Sequence, residues 1–220
     1  MWSWDYAMEV SLVLLRALPA ALLAAFSGFI IAATVGLAIA ALVRSRFTAV
    51  RRIASGVAHF IRSTPLLVQL FFLYYSLPML VPVSMTAFWT GAIGLGLHYS
   101  TYMSEVYRSG IDALPKGQWE ASTALNLSKR RTWLSVILPQ AIPPVLPIMG
   151  NYLIVIFKET PTLSAITYIE LLLRAKNEAS ISYRVFEPYT IAGIIFIVVS
   201  LIMSFLVGRL EKGWRRRTSA

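Results

Sequence analysis

Residues 115–141 read PKGQWEASTALNLSKRRTWLSVILPQA and lie between two long apolar stretches of the chain. Pro115 suits the start of a helix, because its missing N–H would have no intrahelical partner there and its fixed φ is already helical. We expect a short helix over about 115–125, ended by Asn126 in the left-handed conformation that Asn tolerates. Ser128 can then cap a second helix, which begins with three basic residues. The segment is therefore predicted to be a helical loop that joins two apolar elements.

The chain as a whole is too apolar for a soluble domain. Of its 220 residues, 57% are hydrophobic and 14% are charged, and several uncharged stretches reach the roughly 20 residues that a membrane-crossing helix needs. We expect an all-α integral membrane protein with five transmembrane helices. It should form a single domain over residues 1–220, with spans at about 17–43, 53–77, 86–107, 132–157 and 188–208 and a loop at about 110–131.

Basic residues predict the orientation of these spans. They cluster after the first span, between the third and fourth, and after the fifth, which is one side of the membrane. The clusters comprise Arg44, Arg46, Arg51, Arg52, Arg108, Lys116, Lys129, Arg130, Arg131, Arg209, Lys212, Arg215, Arg216 and Arg217. By the positive-inside rule that side is the cytoplasm, so the N-terminus is expected outside and the C-terminus and the loop inside. The formal net charge of +10 then reflects orientation and contact with anionic membrane lipid, and no nucleic-acid partner is expected.

Residue types that carry chemistry are scarce. The chain has no cysteine, and two histidines, His59 and His98, are too few for a convincing metal site. No G-x-x-x-x-G-K-[ST] phosphate-binding loop occurs, nor a nucleophile with a base at suitable spacing. The chain is therefore expected to be no enzyme and to bind no cofactor or metal.

Two features predict how the helices pack and bend. The first span carries a ridge of small residues at every fourth position, which lets a neighbouring helix approach closely. The ridge comprises Gly28, Ala32, Gly36 and Ala40. In the second span Arg62 and Pro65 interrupt the apolar run, and Pro65 should kink the helix because it removes a backbone hydrogen bond. The sequence leaves open whether this break gates a pathway or only bends the helix.

A polar stripe marks the third span. His98, Tyr102 and Glu105 fall at i, i+4 and i+7 and so share one helical face. An ionisable group within a span is costly unless it faces the bundle interior or water, which makes the stripe a candidate lining for a polar solute. The alternative is that Glu105 only pairs with Arg108 near the membrane boundary.

Two residues of the fourth span could complete a site for a zwitterion. Asn151 lies within this span and Lys158 at its outer end. In such a site Glu105 would face the cation of the solute and Lys158 its carboxylate, while Tyr102 could add a cation–π contact.

The loop resembles the EAA motif of permease subunits of bacterial ABC importers. That pattern is Glu-Ala-Ala, three residues, Gly, nine residues, Ile, one residue and Leu-Pro; here Asn126 stands in the place of Gly. The matching positions are Glu120, Ala121, Ser122, Asn126, Val136, Leu138 and Pro139. The resemblance implies coupling to an ATPase through Gly117, Glu120, Ala121, Ser122, Asn126 and Pro139. The plain alternative is an amphipathic connector with no partner.

Similarity to permeases of the histidine, glutamine and arginine type extends over about residues 27–210. It is carried by segments 62–69, 71–78, 105–108, 115–120, 137–141 and 150–151. Within that group, three short strings most resemble the ectoine and hydroxyectoine branch. They lie at 98–102, 157–161 and 164–167.

The resemblance implies a type I ABC importer permease fold in the bacterial inner membrane. It implies as partners an ABC ATPase, which holds ATP and Mg, an extracytoplasmic solute-binding protein, and a second, related permease that makes a heterodimer. The expected cargo is a polar amino acid or an amino-acid-derived zwitterion, with ectoine or hydroxyectoine favoured over other polar or basic amino acids. A stand-alone secondary transporter and a structural membrane protein are the other classes considered. The exact substrate, the dimer type and whether residues 160–173 re-enter the membrane are left open.

Overall fold

Helices form almost all of the chain in the computed structural model, which describes residues 2–218 and the side chains of residues 2–212. No strand occurs within residues 2–218, so the predicted all-α class is confirmed. The α-helices in chain order are α1 (Trp4–Val43), α2 (Thr48–Ser63), α3 (Leu66–Phe71), α4 (Leu77–Leu80), α5 (Ala87–Asp112), α6 (Lys116–Ala124), α7 (Lys129–Arg131), α8 (Leu138–Glu159), α9 (Leu171–Ser182) and α10 (Phe186–Thr218). Turns of π-helix lie at Phe72–Ser76 and Thr132–Ile137, and a 3-10 helix lies at Thr160–Ile166.

Five helical passages lie in the regions of the five expected spans, and up to four of them are long and apolar enough to cross a membrane. By length and composition, three helices can each cross a membrane alone: Trp4–Val43, Lys129–Ile166 and Phe186–Lys212. A fourth passage is a pair of helices, Thr48–Ser63 and Leu66–Leu80, bent by 103° at the break between them. The fifth, α5, has 26 residues, which is about 39 Å and long enough to cross, although its sequence is less apolar.

The first helix begins well before the expected start at residue 17. Ser3 caps it, because its hydroxyl oxygen accepts a hydrogen bond from the backbone N–H of Tyr6 at 3.4 Å. Charged residues near this end lowered the hydropathy on which the expected start depended, but Glu and Arg are good helix formers. At 40 residues the helix is about 60 Å long, twice the roughly 30 Å of a hydrocarbon core. Part of it must therefore extend beyond the hydrocarbon core.

The second predicted span, at about 53–77, is not one kinked helix. Thr64 is extended, with φ −107° and ψ 139°, and separates α2 from α3. A residue before proline is disfavoured in the helical region, because its backbone clashes with the proline ring. Pro65 therefore ends one helix and precedes the next, and the sharp break replaces the expected kink.

Close packing of α1 on α5 forms the centre of the bundle. The four ridge residues of α1 are buried, as the sequence predicts. A Cβ atom added to Gly36 would lie 2.6 Å from Cβ of Met103 and 2.8 Å from the carbonyl oxygen of Ser100. The two backbones therefore approach more closely than any side chain at Gly36 would allow.

Burial explains how α5 tolerates many polar residues. Several of their hydroxyl groups are satisfied within the helix itself: Ser100 donates to the carbonyl oxygen of Leu97 at 2.7 Å, and Ser104 to that of Thr101 at 2.7 Å. Because these side chains are covered by neighbouring helices and hydrogen-bonded, α5 need not be as apolar as the lipid-facing helices.

Contacts at the two ends of α1 show which loops lie at each end of the helix bundle. Near its start, the backbone N–H of Ser3 donates to Glu187 at 2.9 Å, and the Tyr6 hydroxyl donates to Ser182 at 2.8 Å. Just beyond its other end, Arg44 forms an ion pair with Asp112 at the start of the 110–131 loop. The α9–α10 connection thus lies at one end of the bundle and the loop at the other.

Labelling of single cysteines tests which end faces the cytoplasm. Because the sequence has no cysteine, an introduced one is the only thiol. Cysteines at positions 3 and 182 should react in intact cells with a membrane-impermeant maleimide, whereas those at 128 and 219 should react only after permeabilisation. Position 219 and the side chains of Arg215, Arg216 and Arg217 lie outside the described residues. Labelling of position 128 from outside would contradict the predicted orientation and indicate the opposite one.

The segment that follows α8 packs into the chain. Thr160, Leu163 and Ile166 of the 3-10 helix are fully buried, and the Tyr168 hydroxyl donates to the carbonyl oxygen of Ala20 at 3.0 Å. Glu170 is also fully buried and caps α9 by accepting from two backbone N–H groups at its start. Burial raises the pKa of Glu170 from 4.5 to about 7, although these N–H groups oppose the shift.

Glu170 should make the stability of the permease depend on pH. A carboxyl group whose pKa is higher in the folded than in the unfolded protein favours folding below its unfolded value, and this stabilisation is lost as the pH rises through the folded value. Between about pH 5 and about pH 8 we expect a loss of about 3 kcal/mol, measured as a falling thermal unfolding temperature in detergent. Glu170→Gln keeps one oxygen, which can accept one of the two cap bonds, and it has no titrating group, so it should lower stability at every pH but flatten the profile. An equal slope in both proteins would contradict this role.

Candidate functional site

The loop at 110–131 has the local geometry that the sequence predicts. Its helix α6 is followed by Asn126 with φ 51°, which is the left-handed conformation. The Ser128 hydroxyl accepts from the backbone N–H of Arg131 at 3.4 Å and so caps the next helix. Pro115 adjoins the first helical residue instead of lying within the first turn. We call residues 110–131 the docking loop from here on.

One face of α6 is open. Glu120 and Ala121 are exposed, whereas Ser122 is buried and its hydroxyl donates to the carbonyl oxygen of Gln118 at 2.8 Å. A Cβ atom added to Gly117 would have no neighbour within 4 Å. A cavity of about 580 Å³ lies on another side of α6, where Trp119, Thr123 and Asn126 are among the residues that line it. The face of α6 that carries Gly117, Glu120 and Ala121 is therefore open.

Side-chain contacts join the docking loop to α8 and to the π-helical turn that precedes it. Trp119 of α6 meets Trp133 edge to face, with ring centroids 5.3 Å apart. The Gln140 side-chain amide donates to Gln118 at 3.1 Å. Pro139 lies in the first turn of α8. These side chains connect α6 to the base of the fourth passage.

A charged cluster ties the broken helix to α5. The Glu105 carboxylate accepts from Arg62 of α2 at 3.1 Å and from Arg108 at 3.0 Å. The pairing of Glu105 with Arg108 that the sequence allows is therefore present, and Arg62 adds a second cation from another helix. In this conformation Glu105 is bound to two arginines.

Gln69 stabilises the break itself, a role that was not predicted from the sequence. The carbonyl oxygen of Ile61 would accept from residue 65 in a continuous helix, but Pro65 has no N–H. The Gln69 amide nitrogen donates to that oxygen at 2.7 Å, where the Thr64 hydroxyl also donates at 3.1 Å, and it contacts Thr64 itself. Its amide oxygen lies 3.3 Å from Nδ1 of His98 on α5. The signal in the sequence was a lone amide residue four positions after a proline in an apolar run.

The five predicted pathway residues fall in two places. His98, Tyr102 and Glu105 line one face of α5, with the His98 and Tyr102 ring centroids 5.6 Å apart. Two tyrosines that the sequence analysis did not select join them: Tyr102 and Tyr152 are 6.0 Å apart, and Tyr99 and Tyr152 are 6.2 Å apart. These four rings of α5 and α8 form an aromatic cluster, which we define as His98, Tyr99, Tyr102 and Tyr152.

Asn151 and Lys158 lie elsewhere, on the face of α8 that meets α10. They line a groove of about 490 Å³ together with Ser200 and Ser204. Asn151 and Tyr152 are adjacent in sequence and so point about 100° apart around the helix. The structure therefore does not combine Asn151 and Lys158 with the aromatic cluster into one pocket of this chain.

Residues 32–216 match the family of binding-protein-dependent transport system inner membrane components. The chain belongs to this family. It is therefore a membrane permease of an ABC importer, in which ATP hydrolysis is the task of a separate ATPase subunit, and it is not itself an enzyme.

Relatives of this permease match it over most of its length. It is 42% identical over 213 residues to the probable amino-acid ABC transporter permease protein y4tG of Sinorhizobium fredii, covering 94% of this chain and 92% of the other. It is 36% identical over 164 residues to the putative glutamine transport system permease protein GlnP of Rickettsia bellii, covering 74% and 75%. A crystal structure of an amino acid ABC transporter with histidines superposes with a TM-score of 0.89 at 33% identity, covering 96% and 99%. The predicted type I permease fold is confirmed.

Proposed function

We propose that this permease moves a polar amino acid or an amino-acid-derived zwitterion across the bacterial inner membrane after an extracytoplasmic binding protein delivers it. The aromatic cluster on α5 and α8 carries the proposal, because aromatic rings suit an organic cation and the cluster adjoins the ion-paired Glu105. Amino acids are the cargo named for the relatives at 42% and 36% identity. Ectoine and hydroxyectoine are the favoured cargo, on the strings at 98–102, 157–161 and 164–167; glutamine and basic amino acids are the alternatives.

The driving step originates in the partner subunits. Two ATPases, which hold ATP and Mg, close on ATP binding and press on α6 near Glu120. The Trp119–Trp133 and Gln118–Gln140 contacts pass this movement to α8, so that the passages tilt and the pathway faces outward. A second, related permease completes the pathway as a pseudo-two-fold heterodimer.

Uptake by the assembled complex tests this function. Proteoliposomes that contain both permeases, the ATPase and the binding protein should accumulate radiolabelled ectoine, or failing that L-glutamine or L-arginine, only with ATP inside. Tyr102→Phe, His98→Ala and Glu105→Gln should change apparent affinity or selectivity while ATPase turnover is largely kept. Accumulation of none of these solutes would refute the substrate class. Variants that all behave as the parent, or that all fail to assemble, would make the stripe a packing feature.

A further inference from the structure

The groove between α8 and α10 carries a polar stripe on otherwise apolar walls. Lys158, Asn151, Ser200 and Ser204 line it, and the remaining five lining residues are apolar side chains such as Ile154 and Phe196. It contains one cationic group and no carboxylate. A volume of about 490 Å³ lies within the range of small-molecule sites, which is about 300–1,000 Å³. The groove therefore suits a small solute with an anionic group.

The polar groups of Lys158 and Ser200 are among those in the groove that lack partners within residues 2–212. Lys158 lies exposed in the last turn of α8 and makes no ion pair or hydrogen bond with the side chains of residues 2–212. The Ser200 hydroxyl is buried and has no hydrogen-bond partner among the same residues. A serine within a helix usually donates to a carbonyl of the preceding turn, and a buried polar group without a partner carries a desolvation cost. The groove thus contains an ammonium group and a hydroxyl group that have no hydrogen-bond acceptor within residues 2–212.

We infer that this groove binds the carboxylate of the translocated solute, with Lys158 as the charge partner and Ser200 as a hydrogen-bond donor. The inference rests on the proposed function. A carboxylate is common to amino acids and ectoine and takes a charge-assisted hydrogen bond from an ammonium group. Glu105, by contrast, is already bound to Arg62 and Arg108. The groove is therefore a contact site for the carboxylate on the α8–α10 side of the permease, separate from the aromatic cluster, and Ser200 joins the residues that contact the solute.

Binding to the assembled complex without the binding protein tests this inference. The probe is whichever of radiolabelled ectoine, L-glutamine and L-arginine the parent complex takes up in proteoliposomes. Equilibrium binding is measured in nanodiscs of neutral phosphatidylcholine. Lys158→Gln should weaken binding about tenfold or more, Lys158→Arg should retain most of it, and Lys176→Gln, which removes an exposed lysine of α9, should bind as the parent. The parent should discriminate against the same solute with its carboxylate converted to an amide, and Lys158→Gln should not.

Ser200→Ala gives a second and independent readout. Removal of a hydroxyl that has no partner should leave the thermal stability of the empty complex unchanged or higher, while it weakens binding of the probe. This variant decides the matter if Lys158→Gln fails to assemble. If Ser200→Ala and Lys158→Gln both bind the probe as the parent does, the inference is overturned. It is also overturned if the variants weaken binding only in discs that contain phosphatidylglycerol, since a lipid headgroup then fills the groove. Absence of uptake by the parent complex refutes the proposed function instead.

Discussion

Glu120→Lys should abolish ATP-driven uptake while the protein still inserts and folds. Glu120 is exposed on the open face of α6, and no ion pair within residues 2–212 depends on it. The substitution therefore costs the isolated permease little. It places the opposite charge on the surface that the ATPase is proposed to meet, and like or unpaired charges in an interface are strongly unfavourable. The measurement is uptake in proteoliposomes together with co-purification of the ATPase.

Matched variants separate docking from folding. Glu9→Lys makes the same change on an exposed residue of α1, at the far end of the bundle, and should transport normally. Asn126→Gly should also be harmless, because glycine adopts the φ of 51° without strain. Asn126→Val forces a β-branched residue into that conformation and should lose transport. Normal uptake by Glu120→Lys with its ATPase would remove α6 from the coupling mechanism.

Gly36→Val should prevent the permease from reaching a stable fold. Its Cβ would lie 2.6 Å from Cβ of Met103 and 2.8 Å from the Ser100 carbonyl, and a backbone atom cannot yield as a flexible side chain can. Overpacking typically costs about 1–3 kcal/mol, and helix association in a membrane depends on such packing. The expected result is a large loss of monodisperse protein after detergent extraction.

Gly193→Val is the control for that substitution. A Cβ at Gly193 of α10 would have no neighbour within 4 Å, so the same side chain is added to a helix without a clash. Yield and thermal unfolding temperature should stay close to those of the parent. If both variants lose stability equally, the cause is the helix propensity of valine and not the α1–α5 contact.

Local chemistry made much of this fold predictable. The left-handed Asn126, the Ser128 cap and the break at Pro65 each follow from the backbone preferences of one or two residues. The small-residue ridge follows from spacing along one helix. The start of α1 was missed because hydropathy marks where a helix is apolar, whereas Ser3 and good helix formers decide where it begins.

Contacts between helices were harder to predict, because spacing shows which residues share a face but not which neighbour covers it. Tyr152 joins the aromatic cluster and Asn151 does not, although they are adjacent. Gln69 can bond to both the Ile61 carbonyl and His98 only because the chain bends sharply at Pro65 and α5 lies beside the break. Such assignments need the three-dimensional arrangement of three helices at once.

The contact between Gln69 and His98 fixes the tautomer of the neutral imidazole. The Gln69 amide nitrogen is committed to the Ile61 carbonyl and Thr64, so its oxygen faces Nδ1 of His98. An amide oxygen only accepts, and Nδ1 must therefore carry the proton, which leaves Nε2 as an acceptor. The Gln69 amide bonds both to the Ile61 carbonyl at the break and to the His98 imidazole. Straightening the helix would therefore break the contact with Nδ1. The bend at Pro65 and the tautomer of His98 are therefore linked through the Gln69 side chain.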